Sequence, residues 1–191
     1  MIKSARKDEI LSISAKLFRE RGFSAVTMRD IAQALDIKAA SLYNHITSKQ
    51  EILSEIVIEI AESFTQGMQE IVHSNHAATE KVKLLIHLHV DITLRDPNEM
   101  ACLNNDWVHL DATERTYYLK MREEYEENFR KIIVAGIQAR EFKSINSDII
   151  IFSILSGLRT IYLWYGKKEA VNANELKRDI STLILHGLAQ S

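Results

Sequence analysis

The stretch 27–49 constrains the fold of this chain most, because it encodes two short helices that cannot be stable alone. Thr27 and Asp30 have the spacing of a capping box at the start of the first helix. Apolar residues recur at helical spacing on both sides of a short turn: Ile31, Ala32, Leu35, Ile37, Leu42 and Ile46. Two such helices need a supporting helix and a surface to bind. A helix-turn-helix, which presents its second helix to the major groove of DNA, has this construction.

The composition favours a helical protein. The chain has 191 residues with six Gly and one Pro, so few residues suit the turns of a sheet-rich fold. Helical periodicity runs through the remainder with no convincing strand and predicts about nine helices in all. Among them are a long helix from Ser48 to about His73 and another from Asp111 to about Phe142. We therefore expect an all-α fold, with a three-helix helix-turn-helix DNA-binding domain over 1–48. A helical ligand-binding and dimerisation domain is predicted over 49–191.

Cysteine usage and hydropathy predict the compartment. The single Cys102 cannot form an intramolecular disulfide, and no secretory signal pattern opens the chain. The most apolar run, Ile149–Leu158, is shorter than the roughly 20 residues that a membrane-spanning helix needs. We expect a soluble, cytoplasmic protein without a membrane partner.

Charge is divided unevenly along the chain. Residues 1–50 carry nine Lys/Arg against five Asp/Glu, whereas the remainder carries 15 against 21. A basic end on an acidic body favours an approach to phosphates. An ordinary solvated surface remains the alternative when charge is considered alone.

Three runs of residues point to a known family. They are the Ala15–Phe23 run that ends in Gly-Phe, Thr27-Met-Arg-Asp-Ile-Ala, and Ser41-Leu-Tyr-x-His-Ile-x-x-Lys49. With these runs the chain resembles the TetR family of bacterial transcriptional regulators. Asp36 stands where that family usually has Gly in the turn. Since Asp tolerates positive φ better than most residues, we expect mild strain and no change of fold.

The resemblance implies a homodimer that represses its targets and releases DNA when a small molecule enters the helical body. It also implies which residues contact the double-stranded operator DNA. These are Thr27, Arg29, Lys38, Ala39, Ala40, Ser41, Tyr43, His45 and Lys49. Within this set, Thr27, Tyr43, His45 and Lys49 match family positions that usually contact phosphates. Ala39 and Ala40 admit close approach and can touch thymine methyl groups, but they form no hydrogen bonds to bases. Discrimination then depends mainly on Lys38, Ser41 and Tyr43, together with Arg29.

Aromatic and Met residues of the body predict a ligand pocket with apolar walls and a few polar groups. The predicted lining is Phe64, Met68, Trp107, Tyr118, Met121, Tyr125, Arg159, Tyr162 and Trp164. For each residue, an ordinary place in the core is the alternative. The segments near Tyr125, Arg159 and Trp164 are similar to the subgroup that responds to acyl-CoA or fatty-acid-type ligands. That similarity implies that Arg159, Arg130 or Arg122 binds an anionic head group.

The helix predicted over 148–165 is apolar almost all round, so its outer face needs cover. Twofold pairing with the last helix, 174–187, of a partner would give a four-helix dimer interface. Burial within one subunit is the competing interpretation.

Nothing in the sequence indicates catalysis or a cofactor. His87 and Asp91 have i, i+4 spacing, but a single such pair without a second ligand is more typical of a surface contact than of a metal site. Cys102 has no base beside it in sequence, which favours a structural thiol. We expect no metal, no cofactor and no enzyme activity. A transcriptional activator, a DNA-binding protein without small-molecule control and a helical enzyme remain as alternatives.

Overall fold

A computed structural model of the protein describes residues 5–165 and 172–189, which form α-helices without a β-strand among them. The helices are α1 (Ala5–Arg21), α2 (Met28–Ala34), α3 (Ala39–Leu42), α4 (Lys49–His73), α5 (Ala78–Arg95), α6 (Pro97–Asn105), α7 (Ala112–Gln138), α8 (Ser147–Arg159), α9 (Ile161–Tyr165) and α10 (Ala173–Leu188). Only Thr160 separates α8 from α9. Counted as one interrupted helix, the two give nine helices in the described residues, which confirms the predicted all-α fold.

The described residues group into two compact units. The first unit runs to Ala61 and also includes Asp96–Leu119, and the second comprises Glu62–Arg95 and the chain from Lys120 onward. Each of α4 and α7 therefore begins in the first unit and ends in the second. The first unit contains α6 and the start of α7 in addition to the predicted helix-turn-helix segment.

The first unit is organised around α1, which packs against α6. Ile10, Ala15 and Phe18 on α1 are almost completely buried. Cys102 on α6 is buried against this helix, with its Sγ 3.9 Å from the carbonyl oxygen of Ala15. Burial raises the pKa of the Cys102 thiol, so it stays protonated and serves packing.

The second unit is organised around α5, against which α8, α9 and α10 pack. The Glu141 carboxylate accepts hydrogen bonds from the backbone N–H groups of Ala78 and Thr79, at 3.2 and 2.8 Å, and thereby caps the start of α5. These bonds lower the pKa of Glu141. Nearby, a Cβ on Gly136 would lie 2.3 Å from the ring of Phe142, so only glycine fits there.

The segment Ser147–Tyr165 spans 19 residues and is long and apolar enough, by length and composition, to cross a membrane. Its inner row packs within the second unit: Ile150, Ile151, Ile154, Leu155 and Leu158 are buried. Its outer row is different, because Phe152 is 73% exposed and Ile149 is 60% exposed. The high hydropathy therefore arises from a core face combined with a second, solvent-facing apolar face.

Candidate DNA-binding surface and ligand site

The predicted capping box at the start of α2 is confirmed. Thr27 Oγ1 accepts a hydrogen bond from the Asp30 N–H at 3.2 Å, and the Asp30 carboxylate accepts one from the Thr27 N–H at 2.8 Å. The Thr27 hydroxyl also donates to Asp30, and these bonds lower the pKa of the Asp30 carboxyl group. The first helix of the motif is thus fixed at its N-terminus by reciprocal bonds.

The turn between α2 and α3 has the geometry of a Schellman motif. The Ile37 N–H donates to the Ala32 carbonyl at 3.0 Å, and the Asp36 N–H donates to the Gln33 carbonyl at 3.1 Å. Asp36 has a φ of 53°, which confirms the positive φ expected at this position. Asp36 therefore adopts the left-handed backbone conformation that orients α3, a conformation that glycine would adopt without strain.

α3 is the second helix of the predicted helix-turn-helix and therefore its candidate recognition helix. It is anchored by Leu42 and by Ile46 just beyond it, both fully buried. Tyr43 is 52% exposed, between these two anchors in sequence. Most of the predicted DNA-contacting side chains are exposed, namely Thr27, Arg29, Lys38, Ala40, Ser41, Tyr43 and His45. Ala39 is half-buried. The geometry leaves these side chains accessible to a groove, and their contacts with DNA remain predictions.

Lys49 has a structural role that the sequence did not indicate. Its ammonium group donates to the carbonyl oxygens of Phe23 and Val26, at 2.7 and 2.6 Å, and lies 4.3 Å from the centre of the Phe23 ring. Partial burial lowers the pKa of this ammonium. Lys49 therefore links the start of α4 to the segment before α2 by hydrogen bonds. Its contact with a DNA phosphate remains a prediction.

In the second unit, three rings from three helices form a buried cluster. His89 on α5 lies 4.6 Å from Phe64 on α4 and 5.9 Å from Tyr125 on α7, measured between ring centroids. The His89 Nε2 and the Tyr125 hydroxyl are hydrogen-bonded at 2.8 Å. Burial lowers the pKa of His89 to about 3 and raises the pKa of Tyr125, so both groups are neutral.

Three arginines were proposed to bind an anionic head group, and Arg159 has a charge that acts on two residues of this cluster, His89 and Tyr125. Burial has the larger effect, lowering the pKa of His89 and raising the pKa of Tyr125, and the positive charge of Arg159 lowers both pKa values. Arg159 donates to Glu126 at 2.9 Å, and Arg122 donates to the same carboxylate oxygen at 3.2 Å. Arg130 is instead engaged at the surface by Asp148 at 2.5 Å and by Glu127 at 2.7 Å.

The remaining predicted pocket residues are distributed over both units. Met68, Met121 and Tyr162 are buried in the second unit. Trp107 and Tyr118 belong to the first unit, where their ring centroids lie 5.6 Å apart. Trp164 is 47% exposed, which does not suit a residue lining an enclosed pocket.

The family is decided by comparison with known proteins. The family model for bacterial regulatory proteins of the tetR family matches residues 10–56. The model for the tetracyclin repressor-like C-terminal domain matches residues 75–188, more than half of the chain. This chain belongs to the TetR family. The predicted resemblance is thereby confirmed, and the protein is a DNA-binding transcriptional regulator, not an enzyme.

Individual relatives of this TetR-family regulator agree along nearly the whole chain. The HTH-type transcriptional repressor KstR2 of Rhodococcus jostii (strain RHA1) is 30% identical over 98% of this chain and 93% of its own length. The structure of the ketosteroid transcriptional regulator KstR2 of Mycobacterium tuberculosis has a TM-score of 0.93 at 21% identity, covering 100% and 98% of the two chains. AibR, solved in complex with isovaleryl coenzyme A and operator DNA, has a TM-score of 0.80 at 19% identity, covering 93% and 97%.

TetR-family regulators bind operator DNA as dimers, and the second unit displays an apolar surface suited to one. Phe152 on α8 is 73% exposed and Leu183 on α10 is 77% exposed, and both helices pack on α5. Exposed apolar faces of this kind are typical of protein–protein interfaces.

Two residues of α5, Asp91 and His89, have contacts in the TetR-family fold that the sequence did not indicate. Asp91, considered for a metal, forms an ion pair with Lys177 at 2.5 Å. His89 lies at helical spacing with apolar residues of α5, yet it is the polar centre of the buried ring cluster. A histidine within an otherwise apolar helical stripe was the available signal, but its partners come from helices distant in sequence.

Proposed function

We propose that this TetR-family regulator is a cytoplasmic repressor that binds a palindromic operator as a homodimer and leaves it when a small hydrophobic or acyl-type effector binds. The relatives named as repressors match along nearly the whole chain, which supports repression. The excess of Lys and Arg in residues 1–50 supports electrostatic attraction to DNA at that end.

The buried ring cluster of the second unit is the observation that carries the effector proposal. Phe64 and Tyr125 offer apolar surface around a polar centre, and Arg159 supplies a positive charge close enough to perturb that centre. An acyl chain would occupy the apolar part while an anionic group binds Arg159. The coenzyme A thioester in the AibR complex belongs to this ligand class.

On the DNA side, the exposed residues divide by chemistry. Ala39 and Ala40 lie at the start of α3 and allow close approach to thymine methyl groups. Lys38, Ser41 and Tyr43 supply the polar contacts of the recognition helix, with Arg29 from α2. Most of these contacts position the protein on phosphates, and few read bases.

The dimer is proposed to form through the outer apolar faces of α8–α9 and α10. Ile149, Phe152 and Leu183 are each at least 60% exposed in the single chain. Twofold pairing would bury them in a four-helix interface. In that dimer the two recognition helices would be spaced roughly 34–36 Å apart, one turn of DNA.

The proposed signal travels along α4, which is continuous from the helix-turn-helix into the second unit. At the start of α4, Lys49 binds the segment before α2, and in the part of α4 that belongs to the second unit, Phe64 contributes to the ring cluster. An effector that prefers one arrangement around Phe64 would shift the population towards a tilted α4. The recognition helices would then no longer match the spacing of the operator.

The experiment starts from an operator selected from random DNA with the purified protein. Binding is followed by fluorescence anisotropy with and without a series of acyl-CoA thioesters, and we expect one of them to release the DNA. A reporter gene placed behind the operator distinguishes repression from activation. Unchanged DNA affinity with every thioester would contradict the acyl-type effector but not the DNA-binding function.

Tyr43→Ala tests the recognition surface, and Tyr117→Ala is its matched control. Tyr117 is a similarly exposed tyrosine, at 45%, on α7 outside the motif. We expect Tyr43→Ala to weaken operator binding roughly tenfold, about the value of one well-placed contact, while Tyr117→Ala leaves it within twofold. Equal affinities of the two variants would contradict the placement of Tyr43 at the DNA.

A further inference from the structure

α5 carries a buried histidine with one ring nitrogen that no described residue hydrogen-bonds. His89 is 3% exposed, and its Nδ1 has no hydrogen-bond partner among residues 5–165 and 172–189. Its Nε2, by contrast, is bonded to the Tyr125 hydroxyl. Because buried polar atoms are nearly always paired, an unpaired one calls for a specific explanation.

The Tyr125 hydroxyl determines which nitrogen carries the ring proton. Within the described part of the chain, the bond to His89 is the hydrogen bond that this hydroxyl makes. If the hydroxyl donates to Nε2, the neutral imidazole must carry its proton on Nδ1. The opposite arrangement would leave both the phenol proton and Nδ1 unpaired. His89 therefore presents a buried N–H donor that has no acceptor in the described part of the chain.

A second unpaired polar atom lies one helical turn along the same face of α5. Thr93 is 1% exposed, and its hydroxyl has no partner within the residues that the structure describes. Residues at i and i+4 are neighbours on a helix surface, so the His89 donor and the Thr93 hydroxyl belong to one polar strip. The Phe64 ring, 4.6 Å from the imidazole, provides an apolar wall beside it.

We propose that His89 Nδ1–H, with the Thr93 hydroxyl one turn away, binds the carbonyl oxygen of the acyl group of an acyl-type effector. A neutral donor suits a neutral acceptor, and a carbonyl oxygen can accept from both groups. An anionic part of the same effector would instead bind Arg159, as in the proposed function on which this inference rests. The acyl carbonyl of a thioester has the required chemistry.

Two probes that differ only at the carbonyl test the inference. Octanoyl-CoA carries a thioester carbonyl, whereas S-octyl-CoA has a methylene group in its place. We expect the wild-type protein to bind octanoyl-CoA roughly tenfold more tightly by titration calorimetry, the value of one buried hydrogen bond. His89→Phe should remove this preference by weakening octanoyl-CoA alone. His89→Gln, which keeps a donor, should retain part of it.

A second readout follows the histidine itself. We expect ¹⁵N NMR of the imidazole to show a protonated Nδ1 in the free protein and a shift of that signal with octanoyl-CoA but not with S-octyl-CoA. Circular dichroism checks that each variant is folded, and the Gln variant provides the comparison if the Phe variant is not.

The possible failures are distinguishable. Equal affinity of the wild-type protein for both probes would overturn the carbonyl site, as expected if only a water molecule occupies Nδ1, and would leave an acyl-type effector intact. Absence of binding by both probes would contradict the acyl-CoA effector of the proposed function, and the carbonyl site with it.

Discussion

At Asp36 a single backbone angle determines the turn that orients the recognition helix. The φ of 53° is in the left-handed region, where a Cβ is unfavourable. The family pattern and the turn position together indicated this conformation from sequence. The two bonds of the Schellman motif, which hold Asp36 there, became visible only in the structure.

Replacing Asp36 tests this strain. We expect Asp36→Gly to raise the free energy of unfolding by up to about 1 kcal/mol, because glycine adopts positive φ without a steric penalty. Asp36→Ala, which keeps a Cβ and loses the polar side chain, should lower it. Urea unfolding measures both, and a less stable Gly variant would show that the aspartate side chain contributes more than the strain.

His89 predicts a pH dependence of stability. Its pKa is lowered to about 3 in the folded protein by burial, whereas an unfolded histidine titrates near 6.5. Protons therefore bind the unfolded state first, so the stability present above pH 6.5 is lost as the pH falls towards 3. Between pH 7.5 and 5 the loss from this residue is about 2 kcal/mol.

Comparison of the wild-type protein with His89→Phe isolates that effect. The pKa of Glu141 and the pKa of Asp30 are also lowered, and their contributions are common to both proteins. We expect the free energy of unfolding to fall more steeply between pH 7.5 and 5 in the wild-type protein. Parallel curves would show that the buried imidazole does not resist protonation.

At the scale of elements, helical periodicity located most helices well but not their ends. α4 was predicted to reach about His73 and does so. α7 was expected to reach about Phe142, yet it ends at Gln138, since Arg140 has a φ of 59° and turns the chain. The cap on α5 comes from Glu141, more than 60 residues away, and no local pattern could have predicted it.

Lys49 connects two elements, and this alters the effect expected of its removal. Lys49→Ala would remove one donor from each of the Phe23 and Val26 carbonyls, so we expect it to cost about 1–3 kcal/mol of stability as well as operator affinity. Lys16→Ala, at an exposed position of α1, is the control. Thermal unfolding and operator binding are measured on both variants. If Lys49→Ala were as stable as the wild type, Lys49 would act only through its predicted contact with DNA phosphates.

At the scale of the whole molecule, sequence predicted the fold class and the family, and the surface that it assigned to DNA remains a prediction. It did not predict which later residues complete each unit, because packing between distant segments has no local signature. Examples are the hydrogen bonds between His89 and Tyr125 and between Arg159 and Glu126. Trp164 shows the reverse, since its aromatic side chain suggested a pocket but is half exposed.

Assembly is tested by placing a charge on the outer apolar face. Phe152→Asp should convert the dimer into a monomer in sedimentation and weaken operator binding, because a buried unpaired carboxylate opposes the interface. Leu119→Asp is the matched control, an exposed leucine at 40% outside α8–α10. A dimeric Phe152 variant would exclude this face as the interface.

The discontinuous first unit has a consequence for building hybrid regulators. α1 packs on α6, which lies some 75 residues later in the chain, so residues 1–48 do not carry all the surface that covers their own core. If that segment alone were grafted onto another body, buried side chains such as Phe18 and Ala15 would face residues that do not match their packing. A chimera that reads a new operator must therefore exchange Asp96–Leu119 together with the N-terminal helices.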